Sequence, residues 1–365
     1  MAVNDSGLAN DKPLVLDGFR ITNANAEGAM AGPDSVGAGI VCDTSDLMVE
    51  NCIVHGNVGS SFQLGGGIYA WDQGNRVFRC RLSEIHDNHA DWGSGLGIEQ
   101  GLALVSHADV HDNGSIDPDP TIPDSERAGG IYVGVEAELW ISNSEIHDNL
   151  AEAGGAAWVD LNAIGSHWTN CTIAFNDRFG PPGGPGGIVF EDRGTGVPRH
   201  FIENTIAFFN DVQDVLVTFP LGGLSGEVTA AFSDVGVFSP GLVATGPVLS
   251  VDPKFISGAR RDFKLRFDPF DLSPCIDAGS DFLMGADYND VDDDGDPTYP
   301  VPLDLTLGPR EIANAALPPA SDPGVDGGGM DPPSGDGDST STDVIGAIVD
   351  IGAHEAPTGI AGPPQ

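Results

Sequence analysis

Lysine is nearly missing from this chain. Only Lys12, Lys254 and Lys264 occur, and Lys and Arg together number 15 against 55 Asp and Glu, a formal charge of −40. Such a field excludes nucleic acid as a partner, because that affinity comes from Lys and Arg neutralising phosphates. It argues equally against an anionic membrane surface. No apolar run approaches the roughly 18 residues of a membrane span. The opening MAVNDSG has neither the basic region nor the apolar stretch of a signal peptide. Cysteine is sparse: Cys42, Cys52, Cys80, Cys171 and Cys275 are odd in number and widely spaced, which gives no disulfide framework and no zinc spacing.

What the chain has instead is backbone punctuation. Gly 51 and Pro 27 exclude a long helical bundle, since each costs about 1 and 3 kcal/mol inside a helix. An apolar content of 40% still supports a sizeable core. Aspartate outnumbers glutamate by 41 to 14, a bias that suits salty or calcium-containing surroundings where cations screen self-repulsion.

Two motifs recur. The first is a glycine pair followed by a short apolar strand: GAGIVCD, GGGIYAWD, GSGLGIE, AGGIYVG, AGGAAWVD and PGGIVFED. Its first strand residues read as Ile40, Ile68, Leu96, Ile131, Ala156 and Ile188. The second ends in Asn57, Asn88, Asn113, Asn149, Asn176 or Asn210, with an apolar residue three positions earlier and a small one five earlier. Period-two alternation with a kink near position minus six places two short strands at a bend. Units of about 30 residues that cannot bury an apolar face alone must stack. The expected fold is all-β: a single-stranded parallel β-helix of about eight coils, spanning roughly 40 Å, with an irregular C-terminal extension. Stacked Asn amides would then hydrogen-bond along the axis and satisfy turn backbone. A propeller or sandwich would need hairpin turns of the Asn-Gly type, which are missing.

The GGGIY and N-C-x-I-x-x-N elements, over about residues 14–235, resemble bacterial extracellular right-handed parallel β-helix proteins of the pectin-lyase-like superfamily. VDPKF, DFKLRF, SPCIDAG, GPR and VDIGAHE resemble the choice-of-anchor-type C-terminal region such proteins share, here over 236–357. The likeness implies an extracellular or cell-surface location. The chain departs from the pattern at 313–343, whose Gly, Pro, Ser and Asp content reads as a disordered loop. It begins inside the repeat and ends without an anchor, as a fragment would.

Several constellations bear on chemistry. Asp290, Asp292, Asp294 and Asp296 alternate ahead of and around Gly295, as in a calcium loop, but Val301 stands where an EF-hand has its glutamate. An irregular Ca²⁺ site closed by Asp287 or Asp304 is expected, against a plain solvated turn. Asp43, Asp72, Glu99, Asp160 and Asp192, with Glu136 in the remaining coil, read as an acidic column. Stacked like charges repel by about 1 kcal/mol per pair in water, so a cation must neighbour them or they splay. Asp72, Asp91 and Asp160 are the candidate acids of a hydrolase, and turn-forming aspartate is the plainer reading. His55, His86, His111 and His147 form an outward column, three of them followed by Asp. Metal binding, acid–base chemistry and pH sensing all need such residues, while drift of a copied surface residue gives the same column without function.

Loops between the Asn turn and the next glycines fall on one edge, where solenoids bind their ligands. That edge carries His89, Asp91, Trp92, Arg127, Arg178 and Phe179. No lysine lies in the coils to neutralise a uronate, so a lyase is disfavoured. The sequence therefore points to a structural or adhesive β-helix that binds Ca²⁺ and glycans of extracellular polysaccharide or other cell-surface components, with a neutral-glycan hydrolase as the alternative.

Overall fold

The computed structural model describes residues 2–4, 13–25, 39–59, 64–71, 76–114, 127–179, 184–218, 226–258, 262–266, 271–275 and 278–279. Asp72, the stretch from Asp287 to Asp304 in which a Ca²⁺ site is expected, and the segment 313–343 lie outside them.

Three parallel sheets wind along one axis, with eight, nine and nine strands. Each coil contributes one strand to each sheet. Ile68–Trp71, Val77–Arg81 and Glu84–His86 make one such coil, and the next is stacked in register upon it. Two further strands, Leu242–Ala244 and Val248–Leu249, carry the second and third sheets beyond the last repeat recognised in the sequence.

The period-two pattern decides which side chains fill the interior. The column three positions before the Asn runs Val54, Ile85, Val110, Ile146, Ile173 and Ala207, all fully buried. The column eight before runs Val49, Cys80, Val105, Ile141, Trp168 and Ile202. Between them the backbone bends at position minus six. Asn51, Leu82, His107, Asn143, Asn170 and Asn204 all take left-handed φ values, from 47° to 55°. That conformation costs most L-residues about 1–2 kcal/mol and Asn less, which explains why four of the six are asparagine.

The Asn ladder holds the next turn. From Asn57 to Asn210 each Nδ2 donates to the Oδ1 of the following rung at 2.8–3.0 Å, and Asp214 Oδ1 accepts from the last. Each Oδ1 also accepts a backbone N–H from the preceding rung, as Asn113 does from Asn88 at 3.1 Å. The glycine motif exists for this ladder. A Cβ on Gly95 would stand 2.8 Å from the Gly130 carbonyl and 3.0 Å from Asn113 Nδ2. The two motifs of the sequence are thus two faces of one packing contact.

One register differs from the sequence reading. Ile131 pairs with Ala157, and Ala157 with Ile188, so Ala157 and not Ala156 opens its strand. Four small residues in a row, Gly154 to Ala157, leave the register to be set by the neighbouring coils.

Beyond the coils, Phe255–Ser257 and Asp262–Leu265 form a small antiparallel pair. Phe255, Phe263, Leu265 and Cys275 pack as a second core on Ala174 and Ile206, which face outward from the third sheet. The VDPKF, DFKLRF and SPCIDAG stretches therefore act together as a cover on the solenoid. Lys254 and Arg266 both bind Asp271 across it.

Candidate functional site

The outward face of the first sheet concentrates aromatic and acidic groups. Position two of each strand gives the column Val41, Tyr69, Gly97, Tyr132, Trp158 and Val189. Position four gives Asp43, Trp71 and Glu99, then Asp160, placed one residue beyond Val159, and Glu191 beside it beyond Phe190. The acidic column is therefore interrupted. Trp71 stands between Asp43 and Glu99, and Glu136 turns away in a left-handed loop conformation. At the far end Glu191, not Asp192, takes the column position, and Asp192 is buried beneath it. Spacing the acids in this way lowers the repulsion that an unbroken column would carry.

Two tyrosines hold two of the acids. Tyr69 donates its hydroxyl to Glu99 Oε2 at 2.8 Å, and Tyr132 donates to Asp160 Oδ2 at 3.4 Å. Both phenols are almost wholly buried although they point away from the coil interior. Trp92 packs on Tyr132 with ring centroids 5.4 Å apart. Burial raises the Glu99 carboxyl above the usual carboxylate range, the Tyr69 hydroxyl opposes this, and the Asp160 charge adds to it. Asp160 also accepts the Asn162 amide at 2.8 Å, so it caps its own turn.

Beside this lies a planar stack. The Arg127 guanidinium sits 4.4 Å from the Trp158 ring and 5.5 Å from Trp92, and Glu191 approaches it at 3.7 Å. Desolvated cation–π contacts of this kind are worth about 1–2 kcal/mol each. The Trp158 indole N–H is shielded from solvent and has no acceptor among the described residues.

Along the loop edge, within the described residues, the flanks of the loops pair from coil to coil. Val58 bridges His89, and Leu64, Trp92, Arg127 and Ala153 bridge in sequence from coil to coil. Of its six predicted residues, the structure brings Trp92 and Arg127 together. Asp91 joins them through its carbonyl, which accepts the Arg127 amide at 2.9 Å. His89 turns its Nδ1 to the Gly114 carbonyl. Arg178 lies further along the axis, 3.1 Å from Asp211, and Phe179 hydrogen-bonds Ala151 through its amide. Sequence reasoning passed over Tyr69, Tyr132 and Trp158 as site residues. The signal was the second letter of each strand in GGGIY, AGGIY and GAAWV, outward by alternation.

No curated protein and no solved structure matches the chain. Residues 38–207, just under half of its length, match the family described as right handed beta helix region. That match, over coils whose strands pair only in parallel, identifies the chain as a β-helix protein.

Proposed function

We propose that the protein is a secreted or cell-surface structural module that binds neutral glycans along the edge of its first sheet, with Ca²⁺ at the Asp287–Asp296 turn. The observation that carries the glycan reading is the Trp92–Arg127–Trp158 stack with its unsatisfied indole N–H. Sugar rings present apolar C–H faces beside hydroxyls that need both donors and acceptors. An aromatic floor edged by Arg127, Glu191, Glu99 and Asp160 offers both. The net charge of −40 selects against acidic polysaccharide. The alternating acids Asp290, Asp292, Asp294 and Asp296 support the calcium part, since Ca²⁺ takes six to eight hard oxygens.

Affinity electrophoresis through neutral polysaccharides, with Ca²⁺ and with chelator, tests the reading. Retardation is expected for the native chain and a loss of roughly tenfold in affinity for Trp158→Ala, about 1.4 kcal/mol. Equal mobility of the two in every polysaccharide would sink the glycan reading, and chelator-insensitive calorimetry with Ca²⁺ would sink the other.

One observation favours hydrolysis as a second reading. Glu99, held protonated more readily than an ordinary carboxyl, lies two coils from Asp160, a backbone separation of about 10 Å at about 4.8 Å per coil. An inverting acid and base need roughly 6.5–9.5 Å between their carboxyl groups, so this reading requires the two side chains to lean toward one another across the intervening coil. New reducing ends from a neutral glycan, abolished in Glu99→Gln, would establish it over simple binding.

A further inference from the structure

The third sheet carries a different arrangement on its outer face. His55, His86, His111 and His147 lie in one register column, with ring centroids 4.8, 5.0 and 5.0 Å apart and planes within 7° of parallel. Two acidic columns flank it. On one side Asp87, Asp112 and Asp148 each take a left-handed turn conformation that returns the carboxylate to the preceding imidazole. Their oxygens lie 2.8, 2.9 and 2.8 Å from Nδ1 of His86, His111 and His147. On the other side, two residues before each histidine, stand Glu84, Asp109 and Glu145.

The flanking acids give the three rings one common orientation. With Nδ1–H donated to an aspartate, each Nε2 faces the second acidic column. Glu84 Oε1 lies 3.1 Å from His111 Nε2 and 3.6 Å from His86 Nε2, so one carboxylate oxygen spans two imidazoles. Further along, Asp109 Oδ1 lies 3.1 Å from His147 Nε2, yet this shielded oxygen accepts no aligned hydrogen bond. Lone pairs on nitrogen and oxygen held this close repel unless a proton or a metal ion lies between them, and either can occupy the gap between His111 Nε2 and Glu84. A histidine whose Nδ1–H is anchored by a carboxylate, with Nε2 turned to where a ligand can enter, is the usual arrangement around a bound transition metal.

We propose that Glu84, His86 and His111 form a binding site for a divalent transition ion of the Zn²⁺ class. One ligand atom from each lies within 4.8 Å of the other two. The donor set is two imidazole nitrogens and one carboxylate oxygen, which suits Zn²⁺ better than the all-oxygen preference of Ca²⁺ or Mg²⁺. Zinc–ligand bonds of about 2.0–2.2 Å draw ligands closer than the parallel stack holds them, so the two rings tilt toward the ion as it enters. The Glu84 side chain, 41% exposed, is the mobile member, and the histidines, each 16% exposed, are the seated ones. Asp87 and Asp112 act as positioning residues through Nδ1. Asp109, Glu145 and His147 gather one coil on, but with one imidazole and two carboxylates they lack the two-nitrogen donor set.

His55 supplies an internal contrast. In its coil Ile53 stands in the Glu84 register, and Gly56 replaces the aspartate that anchors Nδ1. The first rung thus has the imidazole without either acid.

Equilibrium dialysis of the full chain against ZnCl₂, in a large excess of Mg²⁺ to occupy the acidic surface, tests the site. At least one Zn²⁺ per chain is expected to remain bound. Glu84→Gln should weaken that binding by tenfold or more, and His111→Gln should abolish it. His55→Gln should leave it within twofold. Substitution by Co²⁺ should give visible d–d bands that vanish in His111→Gln, and far-ultraviolet circular dichroism separates lost ligation from lost folding. Removal of all Zn²⁺ by Mg²⁺, or equal binding by the native chain and folded Glu84→Gln and His111→Gln, would overturn the proposal.

Discussion

The outer face of the third sheet divides into two halves built on the same backbone repeat. From His55 to His147 the column is imidazole, flanked by acids from His86 onward and partly exposed at His86 and His111, with His147 buried at the boundary. In the next two coils the same register holds Ala174 and Phe208, and the glutamate register holds Thr172 and Ile206. There the face is closed by the antiparallel cover, whose Phe263 rests 5.0 Å from the His147 ring. The interior residues and the Asn ladder run through both halves unchanged. A β-helix coil thus specifies its core and its turns, and leaves each outward column free to be set by what will lie upon it. Where a segment of the chain covers the sheet the column is apolar, and where solvent or an ion meets it the column is polar and charged.

The largest test of this division removes the cover. Phe263 is 2% exposed and touches Phe175, Phe255 and His147. Phe263→Ala is expected to cost about 3–5 kcal/mol, the usual cost for a buried phenylalanine. Urea denaturation would measure the loss. Hydrogen exchange should show it concentrated in the strands Thr172–Ala174 and Ile206–Phe208, with Glu84–His86 keeping its protection. Uniform loss over all the coils would mean the two halves are one cooperative unit.

Much of this was legible in the sequence, and the exceptions have physical reasons. The Asn and apolar columns could be read because burial admits one residue type at each position, so the repeat is conspicuous. Ala156 was misplaced because a run of small residues satisfies two registers equally. Asp72 and Asp192 were assigned to the acidic column from their place after the strand. Trp71 and Glu191 hold that register instead, since the assigned acid falls fifth from Ile68 and Ile188 but fourth from Ile40 and Leu96. The pairing of each histidine with two acids was present as E-I-H-D and D-V-H-D, where alternation sets residues one and three on one face. The fourth residue's return to the ring depends on a left-handed turn that spacing alone does not disclose. Burial of Tyr69 and Tyr132 was invisible for another reason, since their partners Glu99, Asp160 and Trp92 lie about a coil away in sequence.

Histidines outside the ladder sharpen the contrast. His200 in the second sheet is fully buried and has only Ser166 Oγ at 3.0 Å as a polar partner. Burial brings its pKa down from 6.5 to about 3, with the Arg199 charge adding to the effect. The folded state therefore holds His200 neutral where the unfolded chain protonates it. Its contribution is complete above pH 6.5 and falls as the pH drops toward 3. By pH 5 this amounts to a loss of about 2 kcal/mol. Glu227, brought down to about 2 against its own burial by Thr195, the Arg193 amide and Arg199, loses its stabilisation only below pH 4.5. The difference between urea midpoints at pH 7 and pH 5 should thus narrow in His200→Gln without closing, because burial also brings His167 down, to about 4. An undiminished difference would assign the acid sensitivity elsewhere.

A smaller effect follows from placing an imidazole in the covered half. Ala174 is fully buried under Phe263 and Phe255. Ala174→His adds volume where the cover already fits and brings no acid to meet the ring, because Thr172 holds the Glu145 register. Overpacking of this kind costs about 1–3 kcal/mol. A neutral outcome by thermal denaturation would show that the cover can lift, and that apolar closure is less specific than the packing implies.

The smallest expected effect lies at the opposite end. Ile53 is half-buried, with Arg20 in register on one side and Glu84 on the other. Ile53→Glu extends the acidic column into the first histidine coil. The lost apolar contact and the new repulsion from Glu84 are offset by attraction to Arg20, all in high dielectric. Stability should therefore change by no more than about 0.5 kcal/mol, the range for surface substitutions. The same chemical step, from apolar to ionisable, is thus tolerated on the open half and resisted on the covered one. A loss above about 1 kcal/mol in urea would break that comparison, because the open half would then depend on apolar packing as the covered half does.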